Sequence, residues 1–284
     1  MRKSLLLIAS TSIAAFLLLA SNAYAMRSHH HQPAPPPVIS TPVPSSTPSG
    51  IQFGMYNNQK ETQYGTYTGF FFGDGDDFDQ DLASQRVTGP VFAYWESSFT
   101  ATQIENGAAD SFLKTWASEM KAYKQPIIFA PLDEMNGNWS PYYGNPTAFK
   151  AAWVHIHALF SGDSNVKFAY DPNVCGPGIP CSSLTTYYPG SAYVDYSGLD
   201  GFDFGNTGNG NVSQTFAQVF DASLPTMESF GKPLWLTSIG VYDGDNQSAF
   251  LQAAFSSGVQ GIIYFNQSPF NLSSAALSTV KALL

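Results

Sequence analysis

Eight short apolar runs recur along the chain from residue 51 onward, and helix-like segments separate several of them. The runs are apolar at nearly every position, which is typical of strands covered on both faces in a parallel sheet. Eight such strands with intervening helices predict a (β/α)8 TIM barrel of the α/β class. A doubly wound open sheet is the competing architecture, but no G-x-G-x-x-G turn follows the first run. The predicted strands are 51–56, 68–73, 90–95, 127–132, 166–170, 193–199, 234–239 and 261–266.

The clearest predicted helices fall between these runs, and a last one follows the eighth run. Their starts carry helix-initiating residues such as the Asn145-Pro146 pair. The connections after the first, second and fifth strands are irregular in pattern. The predicted helices cover 107–123, 145–160, 213–229, 246–257 and the segment from 273 onward.

The first fifty residues differ in character from the barrel region. A basic start, an apolar stretch and a small-residue ending at Ala23–Ala25 predict a secretory signal peptide over residues 1–25. Residues 26–50 are rich in Pro, Ser, Thr and His, which predicts an extended linker. The barrel is expected to occupy residues 51–284 as a single domain of a secreted, extracellular or periplasmic protein. A retained membrane anchor is the alternative, but no later apolar stretch is long enough to span a bilayer.

The formal net charge is -9, and aromatic residues are abundant. An acidic surface disfavours nucleic acid and anionic membranes as partners. Aromatic-rich clefts suit sugars, whose apolar ring faces stack on Trp and Tyr. We expect a monomer without a cofactor. The acidic run 74–81 lacks the Gly and the terminal Glu of a calcium-binding loop, so we expect an exposed acidic loop there and no metal site.

Cys175 and Cys181 are the only cysteines and lie in a Gly- and Pro-containing loop. In an exported protein, two such cysteines favour a short loop-closing disulfide over a redox or metal-binding pair.

The fourth predicted strand is followed by Asp-Glu-Met-Asn-Gly-Asn-Trp at residues 133–139. In a barrel, catalytic groups gather at the carboxyl ends of the strands. Glu134 is therefore a candidate acid/base, whose pKa an apolar setting would raise, and the neighbouring amide of Asn136 could hold a sugar 2-hydroxyl. The alternative is an acidic residue at a helix start beside a packed Trp.

This segment resembles the His-Glu-Met-Asn-Gly-x-Trp motif of glycoside hydrolase family 26, which contains β-mannanases, some xylanases and mixed-linkage glucanases. Three further stretches resemble the same family in the expected order, so the resemblance covers roughly residues 51–284. They are the Tyr-Tyr-Pro-Gly and Gly-Leu-Asp-Gly run at 187–202, the seventh-strand approach at 232–237 and the eighth strand at 262–266.

The resemblance implies a barrel that acts on or binds a β-linked polysaccharide of the β-mannan, xylan or β-glucan type. It places Glu134 at the acid/base position. The residues that it places near the sugar are Asp133, Asn136, Trp139, Tyr142, Tyr188, Phe202 and Tyr264.

Three positions depart from the family pattern. Ser238 stands at the position of the nucleophilic Glu, Asp133 replaces a His, and Phe202 replaces a Tyr. A serine is a poor glycosyl nucleophile because it needs a base and offers no negative charge to the transition state. Without the carboxylate, a buried Tyr hydroxyl would lose its acceptor, so Phe becomes the less costly residue.

Three hypotheses follow from these substitutions. The protein could be an active glycosidase with an unidentified second acid, an inactive polysaccharide-binding pseudoenzyme, or an inverting glycosidase whose second carboxylate activates water. The candidates for that second carboxylate are Glu96, Asp203 and Asp243.

Overall fold

The computed structural model describes residues 50–56, 65–206 and 211–284. The predicted signal peptide and all but the last residue of the predicted linker lie outside this part. The described chain forms a curled parallel sheet in the order β6-β5-β4-β3-β2-β1-β9-β8-β7. Its strands are β1 Gln52–Tyr56, β2 Tyr67–Phe72, β3 Val91–Trp95, β4 Ile127–Pro131, β5 Val166–Tyr170, β6 Tyr196–Ser197, β7 Asp200–Asp203, β8 Trp235–Val241 and β9 Gly261–Tyr264.

Isolated parallel bridges connect the two ends of this sheet. Ser197 pairs with Leu234, and Asn173 pairs with Asp200. The β6 and β7 segments therefore occupy a single barrel position between β5 and β8, and the sheet closes as the sequence predicted.

The predicted sixth strand, 193–199, is wrong in detail. A short 3-10 helix covers Ser191–Tyr193, and the strand is split at Gly198. A Cβ on Gly198 would lie 2.7 Å from the Thr237 side chain and 2.9 Å from an Asp171 oxygen. The strand is interrupted where β8 and the end of β5 press against its backbone.

Helices cover the outside of the sheet. They are α1 Phe78–Ser84, α2 Ala101–Glu105, α3 Asp110–Tyr123, α4 Pro146–Leu159, α5 Ser182–Thr186, α6 Phe216–Phe220, α7 Leu224–Glu228, α8 Gln247–Ser256 and α9 Ser274–Leu283. The single helix predicted over 213–229 is wrong, because the chain forms the two short helices α6 and α7 there. Pro225 stands in the first turn of α7, where its missing N–H is tolerated, but it could not continue α6.

Two apolar layers follow from the alternation of side chains along each strand. Phe92 and Tyr94 on β3 belong to a small cluster inside the barrel that also contains Trp235. Alternate residues such as Val91 and Ala93 belong to the larger layer between the sheet and the helices. These side chains fill the lumen between the described strands. No described helix has the length and apolar character needed to cross a membrane.

Candidate functional site

A cleft of about 260 Å³ opens at the carboxyl ends of β3, β4, β5, β7 and β8. Four carboxyl side chains and several aromatic rings line it, and the loop 175–179, which the Cys175–Cys181 disulfide closes, forms one wall. The residues that carry the chemistry below are Glu96, Asp133, Glu134, Trp139, Asn173, Asp200 and Ser238, and the other rings are Phe71, Phe202, Phe204 and Phe265.

The backbone after β4 adopts an unusual path that places Glu134 in the cleft. Leu132 and Glu134 have φ values of 59° and 50°, in the left-handed region that residues other than Gly seldom occupy. Two backbone hydrogen bonds hold this path: the Leu132 N–H donates to the Trp95 carbonyl at 2.8 Å, and the Glu134 N–H donates to the Asp171 carbonyl at 2.9 Å. Such strain persists only where the surroundings enforce it and is common at functional sites.

Both oxygens of the Glu134 carboxylate accept an N–H donor. Trp139 Nε1 donates to Oε2 at 2.8 Å, and Asn173 Nδ2 donates to Oε1 at 2.6 Å. Burial raises the pKa of Glu134, and these two hydrogen bonds act in the opposite direction. The carboxyl is thus held in one orientation.

Asn136 is fully buried and acts on this site through Asn173. Its amide accepts from the Asn173 N–H at 2.8 Å and donates to the Asn173 carbonyl at 2.9 Å and to Ser183 Oγ at 3.1 Å. Asn136 does not line the cleft, and it positions the residue that bonds Glu134; its contact with a sugar stays a prediction.

Gly137 explains how the Trp139 ring reaches Glu134. A Cβ on Gly137 would lie 2.3 Å from the Trp139 indole. That separation is shorter than van der Waals contact, so only glycine lets the ring fold back over the chain.

Ser238 reaches the cleft through an irregularity in β8. The pairing of β8 with β9 shifts register between Leu236 and Ile239. Such a bulge re-aims side chains. Thr237 and Ser238 are consecutive, yet Thr237 bonds to interior acids while Ser238 lines the cleft.

Asp171, Thr237 and Asp200 form an acid cluster at the floor of the cleft. Thr237 Oγ1 contacts Asp171 Oδ1 in a short hydrogen bond and lies 2.8 Å from Asp200 Oδ1. One hydroxyl carries a single proton, so a carboxyl proton must complete the second contact. Burial raises the pKa of Asp171 to about 7 and that of Asp200 well above its usual range, with the neighbouring Asp171 charge adding to the effect on Asp200. A protonated Asp200 that donates to Thr237 accounts for both contacts of the hydroxyl, while Asp171 Oδ2 is buried without a partner among the described residues.

Glu96 and Asp133 complete the set of acids. Burial, with the Glu134 charge as a second cause, raises the pKa of Glu96 to about 7. Burial and the charges of Glu96, Asp171 and Glu134 raise the pKa of Asp133 well above its ordinary value. Asp133 is 3% exposed, and its Oδ1 has no hydrogen-bond partner among the described residues. No Lys, Arg or His of the described ranges lines the cleft, and the ion pairs found in them lie elsewhere.

Tyr142, Tyr188 and Tyr264 do not line the cleft, and their predicted place beside the sugar stays a prediction. The Tyr142 hydroxyl is buried, accepts from the Ser97 N–H at 2.7 Å and donates to the Ser97 carbonyl, so it supports the loop after β3. The Tyr264 hydroxyl accepts from the Val241 N–H at 3.1 Å. Tyr188 stacks on Phe230, with ring centroids 3.9 Å apart.

The three candidates for a second carboxylate differ in their position relative to the cleft. Asp203 is buried and accepts from the Gly205 and Gln214 N–H groups, and Asp243 is exposed. Neither lines the cleft, whereas Glu96 does.

The acidic run 74–81 serves the fold in the described structure. Asp77 caps α1 by accepting from the Gln80 N–H at 2.8 Å, and Asp74 accepts from Trp95 Nε1 at 3.1 Å. Among the described residues, no group of three or more His, Cys, Asp or Glu side chains has an arrangement suited to a metal ion.

Sequence reasoning missed Thr237 altogether and did not join Asp171 to Asp200. The signal for the two acids was their position directly after predicted strands. Thr237 carried no such signal, because only the pairing of β7 with β8 brings its hydroxyl to them.

The chain resembles known proteins in sequence and in fold. The sequence profile described as glycosyl hydrolase family 26 matches residues 97–233. Endoglucanase H of Acetivibrio thermocellus is 33% identical over 174 residues, which are 57% of this chain and 19% of that protein. The chain therefore resembles glycosyl hydrolase family 26 in sequence.

A second relative of the family is the mannan endo-1,4-beta-mannosidase A and B of Caldalkalibacillus mannanilyticus, which is 30% identical over 89 residues. That match covers 27% of this chain and 16% of that protein, so this chain spans less than a fifth of the length of either curated relative.

Solved structures of the family share the fold. A GH26 β-mannanase from Bacteroides ovatus superposes with a TM-score of 0.59 at 15% identity, over 82% of this chain and 87% of that one. The mannanase man26 of Bacillus subtilis gives 0.58 at 17% identity, over 80% and 82%. The predicted family and the predicted (β/α)8 barrel are thereby confirmed.

Proposed function

We propose that this protein binds a β-linked polysaccharide of the β-mannan type in the cleft, with Glu134 at the acid/base position and Ser238 at the position of the nucleophile. The observation that carries the proposal is the pair of N–H donors, from Trp139 and Asn173, that fix the Glu134 carboxylate beside the cleft. Trp139, Phe71 and Phe265 add apolar surface to the same space. Family membership and the relative whose name includes mannan support the choice of polysaccharide.

Binding without ordinary retaining turnover is the form of the function that the cleft favours. Retaining hydrolysis needs two carboxyl groups about 5 Å apart, one of which attacks the sugar carbon. Ser238 offers a neutral hydroxyl instead. Its neighbour in register, Asp200, donates its proton towards Thr237 in the arrangement derived above and is thereby held neutral.

Two variants test this proposal. Binding to mannan, xylan and mixed-linkage glucan is measured by affinity electrophoresis, and reducing ends are measured on the same substrates. Glu134→Gln keeps the size of the side chain and one of the two acceptor contacts, and it removes the acid. Ligand affinity is therefore expected to fall by no more than about tenfold, and no reducing ends are expected from either protein. Glu228→Gln, an exposed residue of α7, is the matched control. Turnover that disappears only in Glu134→Gln would overturn the binding form of the proposal.

A second candidate is inverting hydrolysis, with Glu96 as the base that activates water. It is favoured by one observation: Glu96 lines the same cleft as Glu134, and its pKa of about 7 suits a base near neutral pH. If reducing ends appear, proton NMR of the first-formed anomer should show inversion, and Glu96→Gln should reduce turnover by at least about 100-fold. A retained anomer would exclude this mechanism.

We also propose that the protein is exported as a monomer. The signal-like sequence at residues 1–25 and the Cys175–Cys181 disulfide support export, because disulfides persist in oxidising compartments. Amino-terminal sequencing of protein recovered outside the cytoplasm should find a start near Met26. Light scattering should give the mass of one chain.

A further inference from the structure

The cleft carries an excess of acid for a neutral sugar. Glu96, Asp133, Glu134 and Asp200 line it, and none of the lining side chains in the described part of the chain is cationic. Apolar side chains such as Phe71 and Phe265 share the walls and lower the local polarity, which strengthens each electrostatic interaction inside. A ligand that brings positive charge stabilises the ionised forms of these closely spaced carboxyl groups, so it gains free energy there.

A second, independent observation points to a ligand. Asp133 is 97% buried, lines the cleft, and leaves Oδ1 without any hydrogen-bond partner. A buried acceptor without a donor is costly, and native structures rarely leave one in place. Glu134, the next residue, has both oxygens occupied by protein donors. Among the described residues that line the cleft, Asp133 is the one with a buried oxygen that lacks a hydrogen-bond partner; Asp171 Oδ2 also lacks one, but Asp171 does not line the cleft.

We propose that the cleft takes a β-linked sugar bearing a free amino group, whose ammonium donates to Asp133 Oδ1 among the surrounding carboxyl groups. This inference rests on the proposed function, since it uses the same cleft, and it narrows the ligand from β-linked polysaccharide to one that contains amino sugars. An ammonium group has three donors and a full positive charge, so it can satisfy Asp133 and offset Glu96 together. A hydroxyl of a neutral sugar would supply a donor but no charge.

The probe is an oligosaccharide of β-linked glucosamine, compared with its N-acetylated form, a cello-oligosaccharide and a manno-oligosaccharide of equal length. Affinities are measured by calorimetry near neutral pH and at low salt. The glucosamine oligomer is expected to bind at least about tenfold more tightly than its N-acetylated form, a difference of about 1.4 kcal/mol. Added salt should reduce this ratio.

Variants decide whether the preference comes from the cleft. Asp133→Asn is nearly isosteric and should bring the ratio to within about twofold. Glu96→Gln should lower it as well and serves as the second variant if Asp133→Asn fails to fold, as judged by thermal unfolding. Glu228→Gln, which removes one exposed charge from α7, should leave the ratio unchanged.

The outcomes separate this inference from the proposed function. If the manno-oligosaccharide binds and the glucosamine oligomer binds no better, the amino-sugar inference is wrong while the proposed function stands. If no oligosaccharide binds, the proposed function fails first and the inference fails with it. A preference that survives in both Asp133→Asn and Glu96→Gln would assign it to the acidic surface and overturn the inference.

Discussion

The two sides of the cleft treat their carboxyl groups differently. On the β4 side, Glu134 receives an N–H donor at each oxygen. On the β7 and β8 side, Asp171 and Asp200 meet around the single hydroxyl of Thr237, and Ser238 stands beside them without a charge. The first arrangement orients an acid for contact with a ligand, whereas the second stores protons. The β4 side thus fixes the orientation of its carboxyl group, whereas the β7 and β8 side shares protons among its carboxyl groups.

Ser238→Glu is the variant with the largest expected effect. It places a carboxylate on the β8 side of the cleft. If the cleft otherwise has the family geometry, this variant should gain hydrolysis of mannan-type substrates by at least about 100-fold over the unchanged protein, with a retained anomer. Reducing-end assays and proton NMR measure both quantities.

Ser238→Gln, which adds the same length without the charge, should show no gain. A Ser238→Glu protein that folds and binds ligand but does not turn over would mean that one carboxylate is insufficient. Phe202→Tyr and Asp133→His are then the changes to add.

Gly137→Ala tests the β4 side of the cleft, where Trp139 and Asn173 hold Glu134. The new methyl group would overlap the Trp139 indole, so the ring must move and its hydrogen bond to Glu134 is lost. We expect a loss of about 2 kcal/mol in the free energy of unfolding and about tenfold in ligand affinity. Chemical denaturation and affinity electrophoresis measure these effects.

Gly89→Ala is the control, because its Cβ would meet only one atom, at 3.7 Å. An unchanged affinity in Gly137→Ala would show that the Trp139 contact does not support the site.

Thr237→Val tests the β7 and β8 side of the cleft. Valine keeps the shape but removes the hydroxyl that joins Asp171 to Asp200, so two buried acids lose their common partner. The expected loss is about 1.5 kcal/mol in the free energy of unfolding. Thr237→Ser keeps the hydroxyl and should recover most of it, and an equal loss in both variants would assign the effect to the methyl group.

The sequence predicted the apolar strands well, because strands buried on both faces remain apolar at almost every position. It failed at 193–199, since the break at Gly198 depends on Thr237 and Asp171 pressing against that backbone. The same limit applies to the site. Glu134 and Trp139 were predictable from a contiguous motif, whereas the contact between Glu134 and Asn173 joins two strand ends.

Tyr142 and Tyr264 show a second limit of sequence reasoning, which concerns the orientation of aromatic side chains. Both are tyrosines near motif residues, which favours a role in sugar stacking by sequence alone. Their hydroxyls instead bond to backbone groups of loops that no local pattern reveals. The orientation of an aromatic ring follows from tertiary packing.

The smallest expected effect is the pH dependence of stability, which shows which side of the cleft holds the protons. Folding raises the pKa of Glu96 and Asp171 to about 7, so the folded state holds protons that the unfolded state releases above about pH 4. The free energy of unfolding is therefore greatest at low pH within this window and falls as the pH rises through about 7. Thermal unfolding between about pH 5 and pH 8 should show the midpoint falling by a few degrees.

Asp200→Asn removes an acid whose pKa folding raises well above its usual range, so the fall should become smaller. Asp110→Asn is the control: Lys114 and His155 lower the pKa of Asp110, so its contribution is lost only at acidic pH and the fall above about pH 5 should persist. If Asp200→Asn leaves the fall unchanged, the protons are held by Glu96 and Asp133 and not by the acid cluster. The carboxyl groups at the β3 and β4 edge of the cleft would then hold the protons. The β8 side would differ from the family pattern only at Ser238, which stands at the nucleophile position.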